Sequence, residues 1–487
     1  MIVMKFGGSS LESANAIERA ASIVKSHLEQ RPVVVVSAMG KTTDGLVIAA
    51  DHASRGHSYP AWRQLGEIRT FHIQEIKRLL RSQAESFIDQ IVAPKFRELH
   101  VLLNELTEGE RRLTPELKDE ILSCGERLSS EIVAAAFHRF GIKTLYLDAR
   151  KFIVTENQFT SATPLYWETY ARLRRTIPYL GETVAVLGGF IGATEDGVTT
   201  TLGRGGSDLT ASIIGAGICA DEIQIWTNVD GMLTCDPRVL ESGHRVRAIS
   251  YREAEEMARL GAKVLHPASV APAVRQRIPI TIRNSRRPEI EGTRVVAQSN
   301  GSGSTVKSIA CKTGMTVVHL DVRHAGGLPS ITEGLGGLFA RNNIAVELVQ
   351  ARQAGVSFAI ENSTLLPELL RKVDRSVQVR VEEERAVIGL VGEGIGSTPG
   401  VMSRALSALN GIDVRMNAQG SSLLTVCFAV PESALRPSVE RLHREFFTTI
   451  DPEVFVSARE SVETSPDVVR QHRPFALPGG SRAIPAH

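Results

Sequence analysis

Short, wholly apolar runs alternate along this chain with longer stretches in which apolar residues recur every three or four positions. "MIVMKF" and "PVVVVSA" carry almost no polar alternation, the pattern of strands buried on both faces, and "LESANAIERAASIVKSHLEQ" between them has a helical period. The same succession returns with "TLYLD", "ETVAVLGGFIGA", "EIQIWTNV" and "IPITIRN", separated by "SDLTASIIGAGI", "YREAEEMARLGA" and "PASVAPAVRQ". This predicts an α/β fold with a largely parallel sheet covered by helices on both faces, ending near the polar exit "NSRRPEIEGT". One interval, about residues 60–122, is charged and strand-poor with helical spacing, and reads as a helical insertion on that body.

The later part of the chain repeats itself. "VSFAIENSTLLPELLRKV" at Val356 resembles "VCFAVPESALRPSVERL" at Val426, and "LFARNNIAVELV" resembles "ALSALNGIDVRM" at a similar offset. Each copy reads as strand, helix, strand, strand, helix, strand, the ferredoxin-like βαββαβ order. The first copy begins at "TVVHLDV"; the second runs from "AVIGLVGE" to "EVFVSA". The last residues, 461–487, are rich in Pro and Gly without periodicity and read as a disordered tail.

Composition narrows the class. A chain of 487 residues exceeds one ordinary core, so roughly three domains are expected. Lys+Arg 56 against Asp+Glu 54 leaves a net charge of +2, which offers no electrostatic footprint for nucleic acid. The longest uncharged segments are short and glycine-rich, so no membrane span is expected. The five cysteines are scattered without a CxxC pair, the usage of reduced thiols in a cytoplasmic protein, and the N-terminus has no apolar signal region.

Candidate chemistry lies in polar, glycine-marked stretches that follow strands or helices. "KFGGSS" places Lys5, Gly7, Gly8 and Ser9 at a strand end before a helix, where close backbone approach and a point charge suit phosphate; a plain strand-to-helix turn is an equal reading. "SAMGKTTDGL" offers Ser37 and Thr43 at the next strand end, with helix capping by Thr43 or Asp44 as the alternative. "SCGERLSS" sets Glu126 in a helix, where a lone carboxylate is ordinarily solvated. "TTTLGRGGSD" puts Arg204, Gly205, Gly206, Ser207 and Asp208 at a helix start, as a turn or as a binding constellation. "TNVDGMLTCDPRVL" holds Thr227, Asn228, Leu233 and Arg238 around turn formers, and "LGAKVLHP" places Lys263 and Val264 past a helix end, where a cation also complements the helix dipole.

Taken in order and spacing, "KFGGSS", "VVVVSAMGKTTDGL", "CGERLSS", "GGFIGATEDGVTTTLGRGGSD", "WTNVDGMLTCDPR" and "AKVLHP" resemble the aspartate kinases of the amino-acid kinase superfamily. The likeness runs from Met1 to about Glu460. It implies a kinase domain over 1–295, ACT regulatory domains over 310–384 and 385–460, and MgATP-dependent phosphorylation of the L-aspartate β-carboxylate at the head of lysine, threonine and methionine biosynthesis.

By resemblance, Lys5 stabilises the transferring phosphoryl group and Asp208 orients Lys5, both catalytic. Gly7, Gly8 and Ser9 line the phosphate turn. Arg204 grips the substrate α-carboxylate, Glu126 faces its amino group, and Ser37, Thr43, Gly205, Gly206 and Ser207 lie on the substrate side. Thr227, Asn228, Leu233, Arg238, Lys263 and Val264 occupy the nucleotide side. ATP and Mg²⁺ are the implied cofactors, with no protein-only metal site.

The chain departs from the family where Asn228 replaces a common aspartate and Leu233 a common tyrosine. "VELVQARQAGVS" and "RHAGGLPS" also differ from the corresponding segments of lysine-sensitive members. The resemblance implies a monofunctional enzyme that assembles as a homodimer or higher homo-oligomer through its ACT domains. The effector is lysine as the leading reading, or threonine. Another amino-acid kinase, acting on glutamate or N-acetylglutamate, and a non-catalytic amino-acid sensor are the competing readings.

Overall fold

A computed structural model describes residues 1–262, 265–299, 306–322, 328–353, 355–373, 377–419 and 423–457. The first part is built on β1 (Ile2–Phe6), β2 (Val33–Val36), β3 (Thr144–Leu147) and β4 (Val184–Gly188). A small ribbon of β5 (Ile191–Ala193) and β6 (Thr199–Thr201) follows, then β7 (Glu222–Thr227), β8 (Arg245–Val246), β9 (Ala248–Ser250), β10 (Ile280–Asn284) and β11 (Thr293–Val296). Eight of these form one sheet in the order β3-β4-β2-β1-β7-β10-β11-β9. All neighbours are parallel except β10 and β11. The sheet therefore continues past "NSRRPEIEGT": the chain reverses there and adds an antiparallel strand, which the polar exit did not signal.

Two-sided burial explains the continuous apolar strands. Val33 and Val35 join Val3 on one face with Ile213 and Ile214 of the helix Gly206–Ile218. Val34 and Val36 join Met4 and Phe6 on the other, against the helix Ala14–Lys25 and the helical insertion. Successive side chains point to opposite faces, so a run of four valines feeds both cores at once.

The insertion is helical throughout: Ser58–Leu80, then Ala84–Phe87 passing through a π-turn into Ala93–Thr107, then Pro115–Arg139. The last helix opens with Thr114 accepting from Leu117 N at 3.2 Å and Pro115 in the first turn, a start signal that costs no backbone bond. It carries Glu126 from the insertion back to the sheet.

The C-terminal part is one six-stranded antiparallel sheet: β12 (Ser308–Val322), β13 (Val346–Arg352), β14 (Gly355–Glu361), β15 (Val377–Val391), β16 (Met416–Gln419) and β17 (Thr425–Pro431), in the order β13-β14-β12-β15-β17-β16. Two long strands, β12 and β15, pair along their whole lengths and serve both repeats. The first repeat uses the second half of β12 and has its own apolar core around Val318, Phe339 and Phe358. In the second repeat, Ser308–Lys312 pairs beside Lys312's partner Val387 and its neighbours on β15, where the sequence reading placed "EVFVSA". That segment instead forms β18 (Phe455–Val456), which pairs with β8 of the N-terminal part. The two repeats are thus interleaved in one sheet, because each fifteen-residue strand is long enough to pair in both repeats. The segment 461–487 and the residues Lys263 and Val264 lie outside the described residues.

The arginine–glycine turn before Gly206–Ile218 is anchored from behind by Asp119 of the long helix. This buried carboxylate accepts from Thr160 N and Thr201 N, each at 2.8 Å, and from Thr201 Oγ1 at 2.6 Å. Asp119→Ala strands those buried donors, and urea unfolding is expected to report a loss of about 3 kcal/mol, with Asp119→Asn losing clearly less.

Candidate active site

The ends of four parallel strands build the site. After β1 comes Gly7, whose amide donates to Trp226 O at 3.1 Å, and then a 3₁₀ turn over Gly8–Ser10. After β2 come Ser37 to Gly40; after β4, Gly188 and Gly189; after β7, Asn228. This is the crevice outside the carboxyl ends of an open α/β sheet, where ligands gather. The first two loops are in contact: Gly40 N donates to Gly8 O at 3.1 Å, and a Cβ on Gly8 would stand 3.1 Å from the carbonyls of Ala38 and Gly40. A side chain there would have to push those backbone groups aside by a few tenths of an ångström.

Lys5 is a charge in the central strand, only 9% exposed. Its Nζ meets Asp208 Oδ1 at 2.7 Å. Asp208 is in the first turn of Gly206–Ile218, where the helix dipole favours an anion. That helix starts on Gly205, which adopts a left-handed conformation (φ 71°), and a Cβ there would strike Ser269. Arg204, immediately before it, is exposed and makes no ion pair among the described residues. Arg204, Gly205, Asp208 and Arg238 share a cleft of about 1340 Å³ whose far wall includes Lys312 and Glu361 of the antiparallel sheet.

Glu126 is 3% exposed, not solvated as a lone helical carboxylate would be. Its Oε1 accepts from Ala38 N at 3.2 Å, while Oε2 has no hydrogen-bond partner. Burial, partly offset by that amide, pushes its pKa up to about 8. Its backbone carbonyl lies 3.2 Å from where Gly188 would carry a Cβ, and Ser207 fills the corresponding space at Gly189. Glu126 and Ser207 thus flank one turn. Ser37 supplies its carbonyl to Ser129 Oγ at 2.7 Å. Thr43 is half-buried in the first turn of Thr42–Ser54, but neither it nor Asp44 caps that helix: the N-cap is Lys41, and Thr42 Oγ1 donates to Met39 O. The capping alternative falls because the N-cap position, Lys41, lies two residues before Thr43 and three before Asp44.

The remaining candidates lie further along the sheet edge. Thr227 Oγ1 reaches Asn228 Oδ1 at 3.4 Å, and Asn228 is exposed. Leu233 is held through its backbone, in a bridge with Arg245 and with its carbonyl accepting from Ser308. Arg238 forks onto Asp236, with Nη2–Oδ2 at 2.5 Å, so its charge reaches the cleft already paired.

Sequence reasoning missed Ser10 and Ser285, whose hydroxyls meet at 2.8 Å and tie the glycine turn to the end of β10 through the carbonyls of Trp226 and Thr227. It also missed Asp119. Their separation in the chain left no local signal beyond small polar residue types.

A charged lysine in a parallel sheet, glycine turns at the strand ends and a C-terminal antiparallel sheet define an amino acid kinase with an ACT-type region. Residues 1–284 match the amino acid kinase family and residues 388–446 match the ACT domain. The chain is 32% identical over 92% of its length to lysine-sensitive aspartokinase 3 of Escherichia coli, covering 99% of that protein. It is also 32% identical to the chloroplastic aspartokinase 1 of Arabidopsis thaliana, covering 80% of it. The crystal structure of E. coli aspartokinase III in complex with aspartate and ADP superimposes with a TM-score of 0.77, at 31% identity over 92% of this chain and 100% of that one. The chain belongs to the aspartokinase family, and is an ATP-dependent phosphotransferase acting on a carboxyl group.

Glu126 makes a pH-dependent prediction. Its folded pKa lies above the ordinary 4.5, so the folded state keeps a proton that the unfolded chain loses, and stability contributed by this group declines as pH rises from about 4.5 to about 8. Glu126→Gln should therefore gain in urea midpoint over the parent as pH rises through that window. A difference independent of pH would contradict it.

Proposed function

We propose that this enzyme transfers the γ-phosphoryl group of MgATP to the β-carboxylate of L-aspartate, giving 4-phospho-L-aspartate for lysine, threonine and methionine biosynthesis. The observation that carries this reading is the Lys5–Asp208 pair opening onto the cleft that also holds Arg204, a cation with no partner among the described residues. Glu126 adds a buried carboxylate with a free oxygen. An α-amino acid presents one carboxylate for the Arg204 fork and one ammonium for Glu126. E. coli aspartokinase III, solved with aspartate and ADP, supports the choice of substrate.

The acceptor is already an anion, so the chemistry needs positioning and charge stabilisation more than a base. Lys5 offers a proton-bearing ammonium to the phosphoryl oxygens, and Asp208 holds that ammonium in place. The close-packed Gly7–Gly8 turn lets backbone approach the phosphates, with Ser9 beside it. Gly205, Gly206 and Ser207 bring the helix start to the substrate, with Ser37 and Thr43 across from it. Thr227, Asn228, Leu233 and Arg238 form the nucleotide side, to which Lys263 and Val264, outside the described residues, are assigned by resemblance alone.

The described residues contain no group of three His, Cys, Asp or Glu placed to hold a metal. Mg²⁺ in this reading would be carried mainly by phosphate oxygens and water, and would neutralise phosphate charge.

In the regulatory sheet, an end-product amino acid is the effector of this reading. Lysine leads because the aligned E. coli enzyme was also solved with lysine and aspartate in its T-state. Binding there must favour one of two states to regulate at all. The two interleaved ACT units are assigned as the contact through which the chain forms a homodimer or higher homo-oligomer.

A coupled assay with MgATP is expected to release ADP with L-aspartate, and not with L-glutamate or N-acetyl-L-glutamate. Arg204→Lys keeps the charge and loses the fork, so KM for aspartate should rise by about tenfold or more with a smaller change in kcat. An unchanged KM removes Arg204 from the substrate carboxylate.

A further inference from the structure

The sheet has a second chemically marked surface, on the face opposite Lys5. Alternation along β7 and β10 sends Ile223, Ile225, Ile280 and Ile282 into the core beneath Gly206–Ile218 and turns Glu222, Trp226, Thr281 and Arg283 the other way. The apolar cluster on this second face reaches Trp226 and takes in no residue of β10 or β11. In its place is a pocket of about 380 Å³ walled by Arg245, Arg247, Arg283 and Arg294.

Charge is not balanced there. Of the two carboxylates present, Glu222 is engaged by Thr281 and by Gln224, and Glu291 stands 3.6 Å from Arg247. Among the described residues no carboxylate pairs with Arg245, Arg283 or Arg294. Arg245 is 6% exposed; it donates to Gly292 O, and its Nε has no hydrogen-bond partner. The Nε of Arg283 is likewise unpartnered. Burial lowers the pKa of both guanidinium groups, and the nearby carboxylates, Glu291 and Asp230 for Arg245 and Glu222 and Glu291 for Arg283, offset it only in part. Arg283 is also oriented, its Cζ lying 4.8 Å from the centroid of the Trp226 ring.

We propose that this pocket binds a small, multiply charged phosphate anion at a site separate from the Lys5–Asp208 centre. Converging guanidinium forks match tetrahedral phosphate oxygens through paired N–H bonds, and an anion would supply the charge that the protein leaves out. The site is sized for a diphosphate group, either free or borne on a nucleotide. Arg245 also bridges to Leu233, so an occupant adjoins the loop that carries Arg238.

The test is calorimetric titration of inorganic diphosphate into the full chain carrying Lys5→Met, which removes the phosphate charge partner on the other face. Saturable binding is expected, weakened about tenfold by Arg294→Ala and by Arg283→Gln, and not displaced by chloride at equal ionic strength. ADP titrated into the same chains separates the sources: an arginine-dependent component assigns nucleotide-borne phosphate, and its absence beside arginine-dependent diphosphate binding assigns the free anion. Arg294 is exposed on β11, so Arg294→Ala should fold and retain the parent's kcat with aspartate. If Lys5→Met does not fold, comparing Arg294→Ala with the parent in the native chain reads the pocket instead. No saturable binding of either anion, or binding that both arginine substitutions leave intact, overturns the proposal.

Discussion

A lysine in the central strand of a sheet packed on both faces must find an anion, because an uncompensated buried ammonium would lose its proton or destabilise the fold. Lys5 finds Asp208 at 2.7 Å, and much of the site follows from that contact. Asp208 can reach Lys5 only if its helix starts at the strand's carboxyl end, which requires the left-handed Gly205 and the close packing of Gly206 on Phe190. Arg204 is then carried to the cleft as the residue before the turn. Asp119 holds the strand leading into it from the opposite side.

Two kinds of buried charge are set apart by how completely they are satisfied. Glu253 caps the helix Tyr251–Arg259 and accepts from Ser250 N, Lys307 Nζ, Ser299 Oγ and Glu393 N. Its pair with Lys307, at 3.1 Å, is almost wholly buried and joins the kinase part to the regulatory sheet. Such a network is costly to break and fixes one arrangement. Glu126 keeps one oxygen without a hydrogen-bond partner among the described residues. The satisfied group joins the two parts of the chain, while Glu126 leaves an acceptor open beside the strand ends.

The cleft therefore has a regulatory wall by construction. Helix Tyr251–Arg259 lines it, and that same helix is pinned through Glu253 to the loop after β15. Gly389 of β15 packs so closely on Leu260 that a Cβ would fall 2.3 Å from its Cδ1. Packed side chains and one buried ion pair connect the antiparallel sheet to the helix that lines the cleft.

The strands, the helical insertion and the polar turns were legible in the sequence because each is a local pattern: apolar runs, a helical period, glycine beside charge. The same holds for the pairing of motifs that marks the family. The structure alone decided that Glu126 is buried with a raised pKa, since burial depends on what packs against a helix from elsewhere in the chain. It alone exchanged the edge strand of the second repeat for Ser308–Lys312, because strand order is set by pairing partners and not by succession. Ser10 with Ser285, Asp119 with Thr201, and the four arginines around one pocket are likewise juxtapositions of residues far apart in sequence. Their residue types were visible from the start; their meaning came only when the sheet brought them within bonding distance.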